Sequence, residues 1–241
     1  YEVFGQGKPI VLVHGWSSSI LYNWNYTGWI TALKPYRKVI ALDIRGHGDS
    51  GKPHIQSAYS YSKMARDVLA VMNKLGIQKA DLLGYSLGAQ SGAFLLGRHT
   101  SRFTSVALIG IGDETPESIA LAPKIAQALR AVFPWQIPPE AEIYRFAADL
   151  DPRNDLEALA LAALQMWPEG FPVQLGGPGL ADVEIPVLLL NGADDPYADT
   201  VGNLAAALPG AEVVEIPGAD HFGMADDVRF KDAVIDFLTS Q

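Results

Sequence analysis

The stretch Gly84-Tyr85-Ser86-Leu87-Gly88 sets a serine two residues from a glycine on either side, after an apolar run ending at Leu83 and ahead of a helical pattern from Ala89. Where a strand turns sharply into a helix, the two backbones pass so closely that the positions two before and two after the apex must be tiny. Such a turn lifts Ser86 Oγ clear of the sheet, where it can act as a nucleophile. The plain alternative is a serine that only makes the turn. Because a serine hydroxyl attacks poorly at neutral pH, the nucleophilic reading requires a base for its proton and an acid to orient that base.

The chain has five histidines. His221, in Gly218-Ala219-Asp220-His221-Phe222-Gly223, follows the last apolar run on a loop that would overhang the strand ends. It is the candidate base, and an ordinary surface histidine is its alternative. His14 and His47 sit beside glycines in settings that suit structural hydrogen bonds, whereas His54 and His99 have no chemical context and read as surface residues. For the acid, the run Val187–Leu190 leads into Asn191-Gly192-Ala193-Asp194-Asp195-Pro196. Pro196 fixes the turn after Asp195, which favours Asp195 as the carboxylate and leaves Asp194 to bond the loop backbone. Asp113 is a third candidate, since it too would lie at a strand's carboxyl end.

An acyl transfer also needs two donors converging on the oxyanion that develops in the transition state. The N–H of Leu87, beside the nucleophile at a helix start, is one candidate. The N–H of Trp16 is the other, in the loop His14-Gly15-Trp16-Ser17, where Gly15 allows close approach; its indole can at the same time be a plain packing group.

These residues need a scaffold that brings loops together. Six short β-rich runs recur with helical stretches between them: Ile10–Val13, Val39–Leu42, Asp81–Leu83, Val106–Ile109, Val187–Leu190 and Val213–Ile216. Most are apolar without alternation, as in strands buried on both faces of a parallel sheet, and that predicts an α/β fold with helices on both faces. From Ser60, the spacing of Met64, Val68, Val71 and Leu75 predicts a surface helix with one apolar stripe, capped by Ser60 and ended at Gly76. Weaker helical patterns cover Ala89 to Gly97, Val201 to Leu208 and Val228 to Leu238. Between residues 113 and 182 the strand rhythm stops, and Ala/Leu-rich pieces are punctuated by proline and glycine. This segment is expected to be an inserted cap of short helices, dividing a core of residues 1–112 and 183–241.

Composition narrows the function classes. The 241 residues are 49% hydrophobic and 19% charged, enough to bury a sizeable core. Eighteen Lys and Arg against 27 Asp and Glu give a net charge of −9, so nucleic acid and anionic membranes are not expected partners. The absence of cysteine removes disulfides, thiolate metal sites and a cysteine nucleophile. No apolar run approaches the roughly 20 residues of a membrane-spanning helix. The chain starts at Tyr1 without a basic-then-apolar leader, which leaves the compartment open with the cytoplasm slightly favoured. No metal-ligand cluster, phosphate-cradling loop or dinucleotide fingerprint is present, so neither metal nor cofactor is expected. Oligomeric state is left open.

Four landmarks occur in order: Val13-His14-Gly15-Trp16, then Asp43-Ile44-Arg45-Gly46-His47-Gly48-Asp49-Ser50, then Gly84-Tyr85-Ser86-Leu87-Gly88, and finally Asp195 and His221. With them the chain resembles the α/β-hydrolase fold family, serine esterase type. The order Ser, Asp, His is the one this fold uses. The resemblance implies Ser86 as nucleophile, His221 as base, Asp195 as acid, Trp16 and Leu87 as oxyanion donors, and a structural role for His47. It implies a serine hydrolase, a carboxylesterase acting on short or medium acyl esters. Relatives that place Asp at the elbow, such as epoxide hydrolases and haloalkane dehalogenases, differ from this chain at Ser86. Lactonases, carbon–carbon bond hydrolases and cofactor-free haloperoxidases keep the serine and remain alternatives, as does a non-catalytic ligand sensor. The resemblance weakens in the cap, where Phe133, Trp135, Trp167 and Phe171 stand opposite Trp16, Tyr22, Trp24 and Trp29. Trp135 and Trp167 are the candidates for lining an acyl pocket, with ordinary packing between cap and body as the alternative for each.

Overall fold

Each of the six apolar runs forms a strand, and a seventh, Glu2–Phe4, precedes them in a computed structural model that describes residues 1–112, 119–169, 172–198 and 201–240. The strands are β1 (Glu2–Phe4), β2 (Pro9–Val13), β3 (Lys38–Leu42), β4 (Ala80–Tyr85), β5 (Phe103–Ile109), β6 (Val187–Gly192) and β7 (Ala211–Ile216), in sheet order β1-β3-β2-β4-β5-β6-β7. Only β1 runs antiparallel, at the edge against β3. Its two exposed residues explain why it carries no apolar signature.

Described helices are α1 (Trp29–Leu33), α2 (Tyr61–Lys74), α3 (Leu87–His99), α4 (Ala122–Arg130), α5 (Glu142–Asp149), α6 (Leu156–Met166), α7 (Pro172–Gly176), α8 (Gly202–Ala207) and α9 (Val228–Thr239). Because successive strand side chains point to opposite faces, β2 sends Val11 and Val13 into one core and Ile10 and Leu12 into another. The first core is closed by α2, α3 and α8, the second by α1 and α9. The central strands β4 and β6 are therefore buried along their whole length and β5 everywhere but Thr104, with Asp81, Ser105 and Asn191 as their buried polar residues, whereas the edge strand β7 has no fully buried residue.

Helix α2 has the expected stripe, with Met64 and Val68 fully buried. Its start differs from expectation, because Ser60 makes no side-chain cap bond. The first N–H, that of Tyr61, donates instead to Glu169 Oε2 at 2.9 Å, a carboxylate from the helical segment between β5 and β6. The segment expected to be a cap is helical where described, and α4, α5 and α6 enclose a small core of their own around Ile125, Leu129 and Leu159. Its last stretch, α7 and the turn Gly177–Asp182, sits on α3, where Leu175 and Leu180 join the body core.

Candidate active site

The elbow after β4 is shaped by what its glycines leave out. A Cβ on Gly88 would lie 1.9 Å from Val13 O, and one on Gly84 would lie 2.5 Å from Gly88 O. Ser86, at the apex, has φ 51° and ψ −115°, a region costly for a residue with a Cβ. The surroundings hold it there: Ser86 N donates to Ile109 O at 2.8 Å, and its carbonyl accepts from Gln90 N at 3.0 Å. A strained apex fixed at both ends projects its hydroxyl away from the sheet.

Three sequence-separated residues meet at this hydroxyl. His221 Nε2 lies 3.0 Å from Ser86 Oγ, and His221 Nδ1 lies 2.8 Å from Asp195 Oδ2. Asp195 is 2% exposed, and its other oxygen accepts from Tyr197 N at 2.8 Å. That bond leaves Oδ2 for the imidazole, so the ring carries its proton on Nδ1 and offers a free lone pair to Ser86. Asp194 is exposed, and its N–H donates to Ala219 O at 3.1 Å, which ties the acid loop to the histidine loop. Asp113 lies outside the described residues.

The histidine loop is held from both sides. Tyr85 OH donates to His221 O, and burial pushes the Tyr85 phenol far above its ordinary value, so it stays a donor. Asp220 Oδ1 accepts from the N–H groups of Phe222 and Gly223, at 3.1 and 2.7 Å. The Tyr197 ring packs edge-on against the imidazole at 4.8 Å.

The N–H of Leu87 stands in the first turn of α3, where no intrahelical acceptor exists. The Trp16 loop comes close enough that a Cβ on Gly15 would lie 3.4 Å from Ser86 Cβ. Both line or flank a cavity of about 130 Å³ above Ser86, whose wall includes Trp16, Tyr22, Tyr85, Leu150, Asp151 and Phe222. Leu150 and Asp151 follow α5 in the helical segment between β5 and β6.

The other histidines divide as expected, between two buried structural ones and two near the surface. His14 Nδ1 donates to Gly15 O at 2.8 Å and Nε2 accepts from Ile44 N at 3.1 Å. His47 Nδ1 donates to Arg45 O at 3.0 Å. Burial, reinforced by His14, pushes the His47 imidazole down to about 3, so it is a neutral strut. His54 lies at the surface but pairs with Asp155 Oδ2, just before α6, at 2.8 Å.

Of the aromatic candidates, Trp24 and Trp29 are body core and Tyr22 reaches the cavity. Trp167 packs edge-to-face on Trp16 at 5.9 Å and so backs the cavity wall. Trp135 is a correction. It sits 78% exposed on a short turn Pro134–Gln136, stacked on Phe133 at 4.6 Å and absent from the cavity wall. Phe171 lies outside the described residues. Sequence reasoning missed Asn23, Leu150 and Asp151. Asn23 Oδ1 accepts from Gly15 N at 2.8 Å, a contact no motif announces.

Asp151 ties the helical segment 119–182 to the loop after β2. It is almost fully buried; Oδ2 accepts from Ser19 Oγ at 2.8 Å and Arg153 Nη2 at 2.7 Å, and Oδ1 from Arg153 Nε at 2.9 Å. Burial alone would raise its carboxyl, but these bonds hold it below the usual range. Arg153 continues to Asp49 Oδ2 at 3.1 Å.

An elbow serine, a late acid and a late histidine on a mostly parallel seven-stranded sheet define the class, and the relatives agree. The pattern of the alpha/beta hydrolase fold family matches residues 8–167. The chain belongs to that family. It is 27% identical to the non-heme chloroperoxidase CPO-A1 of Kitasatospora aureofaciens, across 99% of this chain and 94% of that protein. It is 38% identical over 117 residues to the dihydrolipoyllysine-residue acetyltransferase component of an acetoin-cleaving system from Pseudomonas putida. That match takes in 47% of this chain, which spans only about a third of that relative's length, 30% of it being matched. Among solved structures, the enol-lactonase from Burkholderia xenovorans LB400 superposes with a TM-score of 0.75 at 27% identity, covering 99% of this chain and 95% of that one.

Proposed function

We propose that this chain is a serine carboxylesterase for short acyl esters. The observation that carries the reading is the continuous relay Ser86 Oγ, His221, Asp195, with links of 3.0 and 2.8 Å. Ser86 Oγ attacks the ester carbonyl while His221 Nε2 takes its proton. Asp195 holds the Nδ1–H and stabilises the imidazolium as it forms. The N–H groups of Trp16 and Leu87 receive the developing oxyanion. His221 then protonates the leaving alcohol, and water activated by the same imidazole cleaves the acyl-enzyme. Every step uses a side chain, a backbone N–H or water.

Acyl length follows from volume. A dry cavity of about 150 Å³ accommodates benzene, so the space above Ser86, about 130 Å³, suits an acyl group of a few carbons. The chief second reading is a lactonase, favoured by the match to the enol-lactonase along nearly both whole chains. It uses the same acyl chemistry with the leaving alcohol tethered.

A panel of p-nitrophenyl esters from acetate to decanoate, set beside simple lactones, separates these readings. Fastest turnover at the short end, abolished by Ser86→Ala, is the expected result. Lactone turnover with inert esters would move the assignment to the second reading, and ester turnover that survives Ser86→Ala would overturn both.

A further inference from the structure

The oxyanion loop is bent in a way its sequence does not favour. Ser18 N donates to Gly15 O at 3.2 Å, closing a four-residue turn with Trp16 and Ser17 at its centre. Ser17, the third residue, has φ 60°. A turn with positive φ at that position ordinarily takes glycine, because a Cβ there is strained. Apart from the elbow serine, Ser17 is the one non-glycine residue with positive φ among the described residues. This turn aims the Trp16 N–H, so whatever holds Ser17 in the left-handed region also sets one of the two oxyanion donors.

The restraint comes from the cap. Asn154 Nδ2 donates to Ser17 O at 2.7 Å and to Ala148 O at 3.0 Å. Two carbonyls facing the same amide nitrogen fix its orientation. Asn154 is part-buried, and Ala148 lies in α5, so the amide ties the oxyanion turn to the cap helix that precedes it. Ser19, two residues beyond Ser17, is pinned in parallel by Asp151 and Arg153. The near side of the loop is held from the body by Asn23.

We infer that Asn154 is a positioning residue for the oxyanion hole, through which the docked cap holds the Trp16–Ser17 turn in its strained, catalytically useful shape. The inference rests on the hydrolase reading proposed above. Asn154 touches no reacting atom; it acts through Ser17. The cap thereby contributes to rate as well as to substrate fit.

The test is a cycle of Asn154→Ala, Ser17→Gly and the double variant, assayed on p-nitrophenyl acetate with thermal unfolding measured alongside. Since an oxyanion contact strengthens only in the transition state, Asn154→Ala is expected to lower kcat about tenfold and leave KM within about twofold. Inhibition by an aryl trifluoromethyl ketone, whose hemiketal oxygen occupies the oxyanion position, should weaken by a similar factor. Glycine adopts positive φ without strain, so in the Ser17→Gly background the same Asn154 change should cost only about two- to threefold. An Asn154→Ala protein with the parent's kcat and inhibitor affinity overturns the inference. A loss of kcat that tracks loss of folded protein, unrelieved by Ser17→Gly, assigns Asn154 to cap docking alone and overturns it equally. Failure of the parent itself to turn over any ester or lactone is a different result, which removes the hydrolase reading and this inference with it; a parent that turns over lactones alone is put through the same cycle on a lactone.

Discussion

The floor of the site and its roof are held by different physics. The floor is built from strand ends, where Gly84 and Gly88 let backbone pass backbone and Asp195 and His221 hang from loops tied by main-chain bonds and by the side chains of Tyr85 and Asp220. The roof is a set of short helices with a small core, seated on the body through Ala158, Ala162, Met166, Leu175 and Leu180 and joined to the loops below by polar side chains as well: Asp151 to Ser19, Arg153 to Asp49, Asn154 to Ser17 and His54 to Asp155. Such side-chain contacts can break one at a time. The floor carries the chemistry, and the roof shapes the space above it while Asn154 reaches down to the oxyanion turn.

The sharpest way to break the contrast is at the floor. Asp195→Asn keeps the shape but favours the wrong imidazole tautomer, and kcat on p-nitrophenyl acetate should fall by about 10⁴. If Asp194→Asn is the crippling change instead, the acid has been misplaced by one residue. At the roof the expected loss is smaller. Asp151→Ala strands Arg153 beside Ser19, and since that guanidinium keeps solvent access the cost should be about 1–3 kcal/mol of stability, read by thermal unfolding. Its KM should rise more than its kcat falls; the reverse pattern would mean that Asp151 belongs functionally to the floor.

The floor was legible in the sequence because its constraints are local. Glycines two residues either side of Ser86, a proline after Asp195 and a glycine three before His221 are each forced by backbone geometry within a few positions, and they stand out against ordinary composition. The central strands were legible for a related reason, burial on both faces. The short edge strand β1 was not, since two of its three residues face solvent. In the roof the deciding contacts join residues more than a hundred positions apart, such as Ser19 with Asp151 and Asn154 with Ser17. No pattern along the chain marks such pairs. Trp135 misled for the same reason: an aromatic beside prolines signals a packed turn, but which way that turn faces is a tertiary fact.

A further difference lies in response to acid. His47 is held near a pKa of about 3 by burial, well below the value of about 6.5 for the unfolded chain. Below about pH 6.5 the unfolded state binds a proton that the folded state refuses, so stability is fully present above that pH and drains away as pH falls toward 3. The slope approaches about 1.4 kcal/mol per pH unit for one such group. Thermal transitions measured from pH 7 to pH 4.5 should show this decline, and His47→Gln should make it shallower, the rest coming in part from His14, which burial also depresses. An equal slope in the variant would assign the decline to other groups. The smallest effect is expected at Trp135→Ser, an exposed stacked ring whose removal should cost under about 1 kcal/mol and leave KM unchanged. A raised KM would restore it to the substrate path.

The central claim, that Ser86 is a nucleophile activated by His221 and Asp195, is tested most directly by covalent labelling. The protein would be treated with a fluorophosphonate, and the modified peptide located by mass spectrometry in the parent and in His221→Ala. A single adduct on Ser86 in the parent, formed far more slowly in the variant, is the expected result. No adduct, an adduct on another serine, or equal labelling rates in both proteins would contradict it.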